Sequence, residues 1–251
     1  AAAFAQGVHD EGEAKLTLGT SAMLDVHTGE APRGRPGAFP LALWRLDGEP
    51  TRFCVEGTVL TAGAVVEWLV DLGVLRRAED LDALAGSVDS SEGVVLVPAF
   101  QGLGTPWLHD GARGLVAGLT RGTSAAHLAR AAVDGIAHRC VDAAEALEVG
   151  GGSLAVDGGL AGSDLLCRTL ADLLGRPVDR AAEPETTALG AALLAGVATG
   201  AIPDAAACRT LVRAPRRFEP ALDPGVRVAR RARFAEAVAR ARAHGEDEAG
   251  G

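Results

Sequence analysis

Tyrosine is absent from the 251 residues, methionine occurs once, at Met23, and Lys15 is the only lysine. Every other basic side chain is an arginine. With Ala and Gly also abundant, this bias is compositional and does not mark an arginine-lined site. Basic charge is short overall, the net charge being −9, which excludes a nucleic-acid surface that would need a basic patch. No apolar run reaches the ~18–20 residues needed to cross a membrane. The first residues, AAAFAQGVHDEGE, have no basic stretch ahead of an apolar one, so no signal peptide is expected. The four cysteines, Cys54, Cys140, Cys167 and Cys208, show no C-x-x-C spacing, and each falls in an apolar or helical pattern. Reduced core cysteines of a cytoplasmic protein are expected, not zinc ligands or disulfides. The six histidines form no H-E-x-x-H or comparable cluster, and no metal site is expected. What is present is ordinary for a soluble domain with a real core: 48% hydrophobic and 23% charged residues.

Residues 14–18 and 22–26 read as strands joined by a turn at Gly19-Thr20-Ser21, and residues 40–46 and 51–55 as a second hairpin across Asp47-Gly48. Residues 62–72 carry apolar positions at helical spacing and end at Gly73; a short helix is expected over 79–85. The apolar run 94–97 stops at Pro98, and a loop dense in Gly and Pro leads to a second apolar run, 115–119. A long helix is expected over 125–148 with Thr123 or Ser124 as its cap. Strand, helix, strand and helix follow at 154–156, 163–174, 177–179 and 188–199, the last capped by Thr186 or Thr187. From Pro203 a proline-containing tail leads to a helix over 226–243, and GEDEAGG reads as disordered. Hairpins followed by alternating strand and helix predict an α/β domain with a mixed sheet and flanking helices. Of the tryptophans, Trp44 and Trp68 are expected in the core and Trp107 on the surface or in a cleft.

Several short patterns can carry chemistry. Leu18-Gly19-Thr20-Ser21 is either an ordinary turn or one that aims backbone N–H groups and a hydroxyl at a phosphate. In Val156-Asp157-Gly158-Gly159 a strand runs into a glycine loop ahead of a helix; tight connection and ligand approach both fit. Ala62-Gly63-Ala64 at a helix start allows either close packing or a ligand, and Glu67 lies one turn further on. Gly190 and Gly196 cost a helix ~1 kcal/mol each relative to Ala, which tight packing would offset. The loop 98–114 is long for a compact domain, as functional loops are.

Taken in order, the Thr20 turn, Gly63, the block GLGTPW…ARG…GLTRG, the VDGG loop and TTALGAALLAG resemble the C-terminal domain of the FGGY family of carbohydrate kinases, its glycerol kinase members above all. The resemblance runs from Phe4-x-Gln6 to about residue 243. It implies a ribonuclease-H-like, actin-type ATPase fold, ATP and Mg²⁺ as cofactors, and a small polyol substrate. It also implies nucleotide contacts at Thr20, Gly63, Glu67, Gly159 and Ser163, and a substrate contact at Met23. Glu67 stands where the family commonly has Gln, Ser163 where it often has Asn, and Met23 where it often has Phe. Trp107-Leu108 replaces a more usual Tyr-Trp pair. The family's general base, an Asp in a Gly-Asp-Gln-Gln stretch, would fall just before Ala1, so no catalytic residue is expected within these residues and an N-terminal kinase domain is expected as partner. Residues 1–203 are expected to form the nucleotide-binding domain and 204–251 its C-terminal arm. Another FGGY sugar kinase and a non-catalytic nucleotide-binding or interaction fragment remain alternatives, and the reading leaves room for a homo-oligomer.

Overall fold

The computed structural model describes residues 1–249. Strands β1 (Ala14–Leu18) and β2 (Ala22–Gly29) form a tight hairpin in which Leu18 lies opposite Ala22. β2 pairs antiparallel with β4 (Arg52–Val59), and β3 (Ala38–Trp44) forms the edge beyond it. On the other side β1 runs parallel to β7 (Leu154–Asp157), which runs parallel to β8 (Val178–Arg180); β9 (Arg216–Phe218) closes that edge antiparallel. The sheet order is therefore β3-β4-β2-β1-β7-β8-β9. β5 (Val95–Val97) and β6 (Leu115–Ala117) make a separate two-stranded ribbon.

Period-two alternation explains the central strands. Leu16, Leu18, Leu24, Val26, Val55 and Val59 are buried in one core cluster. The alternate residues Lys15, Thr17, Met23, Asp25, Glu56 and Thr58 belong to the other face. Helix α4 (Ala125–Ala146) lies centrally on the core face, beside α2 (Gly63–Asp71), α3 (Leu81–Ala85) and α5 (Asp164–Leu174), all represented in that cluster. The alanines of α4 let it approach closely, and its Gly135 sits against the Leu96 backbone. Ser124 is the N-cap; its N–H donates to His127 Nδ1 (3.0 Å). A smaller cluster joins α1 (Ala2–Ala5), α6 (Thr186–Ala198) and α7 (Ala205–Leu211) through Phe4, Leu193 and Cys208. A third lays Phe234, Val238 and Ala241 of α8 (Pro224–Ala249) on Val97 and Leu103.

The expected elements form within a few residues of their predicted ends, apart from the differences that follow, and α1 was not foreseen. The stretch after Pro203 contains α7 and β9. At seven and three residues they are too short to show a period, and β9 is held from outside by the Arg217–Asp179 pair (2.7 Å) and buried Phe218. Helix α8 continues to Ala249 through Glu246, Asp247 and Glu248, where disorder was expected; Gly250 and Gly251 lie outside the described residues. Neither threonine caps α6: the helix begins at Thr186 after Glu185, and the Thr186 hydroxyl instead donates to Asp157. All three tryptophans are half-buried: Trp44 meets Phe4, His9 and His27, Trp68 meets Phe100, and Trp107 lies under the Arg139 guanidinium, 4.4 Å from the ring centre. The four cysteines are free and buried, and burial pushes the Cys54 and Cys140 thiols up to about 12.

Candidate nucleotide site

The β1–β2 turn is locked to the start of α2. Gly19 N–H donates to Ser21 C=O (2.9 Å), and the turn carbonyls then accept from the helix: Gly63 N–H to Gly19 (2.9 Å), and Ala62 and Ala64 N–H to Thr20 (2.9 and 3.2 Å). A Cβ on Gly63 would lie 2.7 Å from the Gly19 oxygen, so the contact requires glycine. The first amides of α2 are thus spent on the turn. What the turn leaves exposed is the Thr20 side chain.

The VDGG loop packs on the same end of the sheet, at the carboxyl ends of the parallel strands β1 and β7, where open α/β sheets place ligands. Gly158 has φ +92°, and a Cβ there would come within 2.5 Å of the Leu18 oxygen. Gly159 is exposed, with open space where a Cβ would point. The sequence thus uses the first glycine to pass β1 and the second to leave room.

Gly159–Gly162 form one 3₁₀ turn, and Ser163 follows as the N-cap of α5. Its Oγ accepts from Leu166 N–H (3.0 Å), and its hydroxyl donates to Asp82 Oδ1 on α3. Asp82 Oδ2 accepts from Leu165 N–H (3.1 Å). Burial of Leu81 and Ala85 anchors the helix that carries Asp82.

Asp157, in the same motif, accepts from Gln6 Nε2 (2.9 Å) and from the Thr186 hydroxyl with Oδ2, while its buried Oδ1 has no hydrogen-bond partner.

Of the residues singled out from sequence, Thr20 and Gly63 are in direct contact, and Gly159 follows the glycine that touches Leu18, two residues before Thr20. Ser163 is one 3₁₀ turn away. Glu67 is exposed on α2, four residues beyond Gly63. Met23 is half-buried on the polar face of β2, between Thr17 and Thr58 in register. Beside it Lys15 pairs with Asp25 (3.1 Å), and Glu56 lies directly across from Asp25. Burial, and then the Asp25 charge, hold the Glu56 carboxyl above the usual range.

The GLGTPW loop meets the sheet at Thr58. Thr105 N–H donates to Thr58 C=O (2.9 Å), Thr58 N–H donates to Thr105 Oγ1 (2.8 Å), and Thr105 Oγ1 donates to Gly37 C=O (2.6 Å). Arg139, 1% exposed, donates to Thr105 C=O (2.8 Å) and to Asp142 (2.7 Å). Asp82 and Arg139 were not foreseen. An acid on a five-residue helix and an arginine on a helix flank carry no pattern that names a distant partner. The sequence of VDGG did contain Asp157, but its glycines drew the interpretation.

The C-terminal-domain model of the FGGY family of carbohydrate kinases matches residues 14–199. The chain belongs to this family. It is 50% identical over 248 residues to a glycerol kinase of Aromatoleum aromaticum, covering 96% of this chain and 50% of that protein. A glycerol kinase of Deinococcus radiodurans is 44% identical over 248 residues, with 96% and 49% covered. Among solved structures, Plasmodium falciparum glycerol kinase with ADP superposes with a TM-score of 0.88 at 28% identity, covering 96% of this chain and 49% of that one. A xylulose kinase of Rhodospirillum rubrum superposes at 0.78 with 25% identity, covering 95% and 49%. These neighbours carry the same carbohydrate-kinase, actin-like ATPase architecture. The chain spans about half the length of the relatives it matches.

Proposed function

We propose that this chain supplies the nucleotide-binding half of an ATP-dependent polyol kinase, with glycerol as the substrate and ADP and glycerol 3-phosphate as the products. The supporting observation is the convergence at one end of β1 and β7: an exposed Thr20 on a turn locked by Gly63, beside the open space at Gly159. The relatives named glycerol kinase, at up to 50% identity among those described, support glycerol as the substrate.

In this reading the Thr20 hydroxyl donates to a phosphate oxygen, and the glycine loop lets the nucleotide come close to the backbone. Met23 lies three residues after Thr20 on the same hairpin, so nucleotide and substrate meet along β2; its thioether gives the polyol carbons an apolar contact. Glu67 lies one helical turn from the locked end of α2 and repels the polyphosphate unless a cation intervenes. Among the described residues no group of three or more His, Cys, Asp or Glu can hold a metal ion. Carried in with the nucleotide, Mg²⁺ would neutralise phosphate charge during phosphoryl transfer. An N-terminal kinase domain completes the cleft and supplies the general base. Residues 204–251 act as an arm of the same domain, seated through Phe234. The protein works in the cytoplasm, which suits four free buried cysteines.

Titration calorimetry of MgADP into the 251-residue chain tests the site. Saturable binding is expected, weakened about tenfold in Thr20→Val, the loss of one charge-assisted hydrogen bond. The melting temperature should stay unchanged, because Thr20 is exposed. Undetectable binding, or equal affinity in the variant, overturns the assignment.

A further inference from the structure

The hydrogen bonds around Ser163 fix which way its hydroxyl can act. A serine hydroxyl has one proton to donate and two lone pairs to accept with. Here the proton goes to Asp82 Oδ1 and one lone pair takes the Leu166 N–H. What remains is a single accepting direction. The serine proton stays on this acceptor because Asp82 is held in place: its other oxygen accepts from Leu165 N–H, and its helix is seated by buried Leu81 and Ala85.

We infer that Asp82 is a positioning residue that makes Ser163 a hydrogen-bond acceptor in the nucleotide site and so selects a ligand that donates there, the exocyclic amino group of adenine in place of the oxo group of other purines. This rests on the nucleotide-binding reading above. The charge of Asp82 adds to the selection. A carboxylate at the start of α5 occupies the position where helix amides would otherwise attract phosphate, and it repels a second anion. The phosphates are thereby directed to Thr20 and the base to Ser163. A site with a committed acceptor penalises an oxo group twice, since two acceptors face each other and neither is satisfied.

ADP and IDP are suitable probes, because they share ribose and phosphates and differ in amino against oxo at one purine position. Calorimetry on the 251-residue chain is expected to give tighter binding of MgADP than MgIDP by about tenfold. In Asp82→Asn the side-chain oxygen can still accept from Leu165 N–H while its amide NH₂ donates to Ser163. The serine proton is then released toward the ligand, and the preference should vanish or reverse. Ser163→Ala keeps Asp82 on Leu165 and should also bring the two affinities together. A merely structural role for Asp82 weakens both nucleotides equally and leaves their ratio alone; that result, in variants shown to be folded by circular dichroism, overturns the inference. Loss of discrimination against 2′-deoxy-ADP with the ADP-to-IDP ratio intact also overturns it, by assigning the contact to the ribose. If the unmodified chain binds ADP through Thr20 but the ratio ignores Asp82, only this inference fails. If it binds neither nucleotide, the nucleotide reading fails with it.

Discussion

Two clusters of charge, wholly or partly buried, lie on opposite faces of the sheet, and they differ in how their charges are matched. On the polar face of the sheet one cation, Lys15, meets Asp25, and a second acid, Glu56, lies opposite Asp25 on the next strand. At the seam between α4 and α8, Asp142 is shared by two guanidinium groups, Arg139 (2.7 Å) and Arg231 (2.6 Å); Arg231 also meets the exposed Glu145 (2.7 Å), and His138 lies alongside. In each cluster burial, and then the neighbouring charge, shifts a group that can still titrate. Glu56 is held above the carboxylate range, and His138 is held down to about 3. Acid should therefore relieve the first cluster and strain the second.

The largest effect is expected at Asp142. Removing it leaves Arg139, 1% exposed, without its carboxylate, while Arg231 keeps only the exposed Glu145 (2.7 Å). Breaking a buried pair from one side typically costs ~3–5 kcal/mol. Asp142→Ala should lower the urea midpoint by a corresponding amount. The exposed pair Arg33–Glu11, with both side chains about half accessible, is the control: Glu11→Ala should change stability by less than ~1 kcal/mol. Equal effects from the two substitutions would mean that the α4–α8 seam is not clamped by its ion pairs.

His138 comes next. Its ring stacks on Phe234 (4.5 Å between centres) and accepts from Arg231 at Nδ1 (3.2 Å). Burial first, then Arg231 and Arg230, oppose its protonation. The unfolded imidazole takes a proton near pH ~6.5 and the folded one does not until about pH 3. Stability should thus fall as pH drops below ~6.5, approaching ~1.4 kcal/mol per pH unit and giving about 2 kcal/mol of loss by pH ~5. Asp134, one turn earlier on α4, is held above its usual range by burial and works in the opposite direction, so the comparison should be made against His138→Gln. If denaturant melts show the same acid slope for variant and parent, His138 is not the sensor.

What the sequence disclosed and what it hid follow from the range of the forces involved. The hairpin at Gly19-Thr20-Ser21, helix α4 and the VDGG connection are written in local periods and glycines, which neighbours along the chain can enforce. Strand β9 is not: Arg216-Arg217-Phe218 becomes a strand only because β8 presents Asp179 and a buried slot for Phe218. Trp107 was expected on the surface or in a cleft because it lies in the long loop, and it is half-buried. What the sequence did not show is that Arg139, distant along the chain, stacks on its ring. Thr20, Gly63 and Gly159 were legible as turn and helix-start residues, whereas Asp82 reaches Ser163 across 81 positions and leaves no trace in either local pattern. Local chemistry therefore disclosed the backbone cradles, and tertiary packing decided which side chains complete them.

The smallest effect, and the one that separates the two clusters most clearly, is expected at Glu56. Burial first, then Asp25 by charge and hydrogen bond, raise its folded carboxyl above the unfolded value, while Lys15 offsets part of this. An acid with a raised folded value keeps its proton in the fold to higher pH than in the unfolded chain. It therefore costs nothing below the unfolded value of ~4.3, and the cost grows as pH rises through the folded value. Glu56 is partly accessible, so solvent screening limits that cost to about 1 kcal/mol or less at neutral pH. Glu56→Gln keeps a hydrogen-bonding side chain opposite Asp25 without the second charge. It should stabilise the protein slightly at pH ~7, and the gain should fade as pH approaches ~4, the reverse of the His138→Gln comparison. Paired chemical melts of parent and variant across that window read the difference directly. A gain that is independent of pH would mean that Gln packs better than Glu and that the carboxylate pair carries no strain. A loss at neutral pH would place Lys15 between both acids as an evenly matched partner, and the contrast between sheet and seam would then be one of position and not of charge.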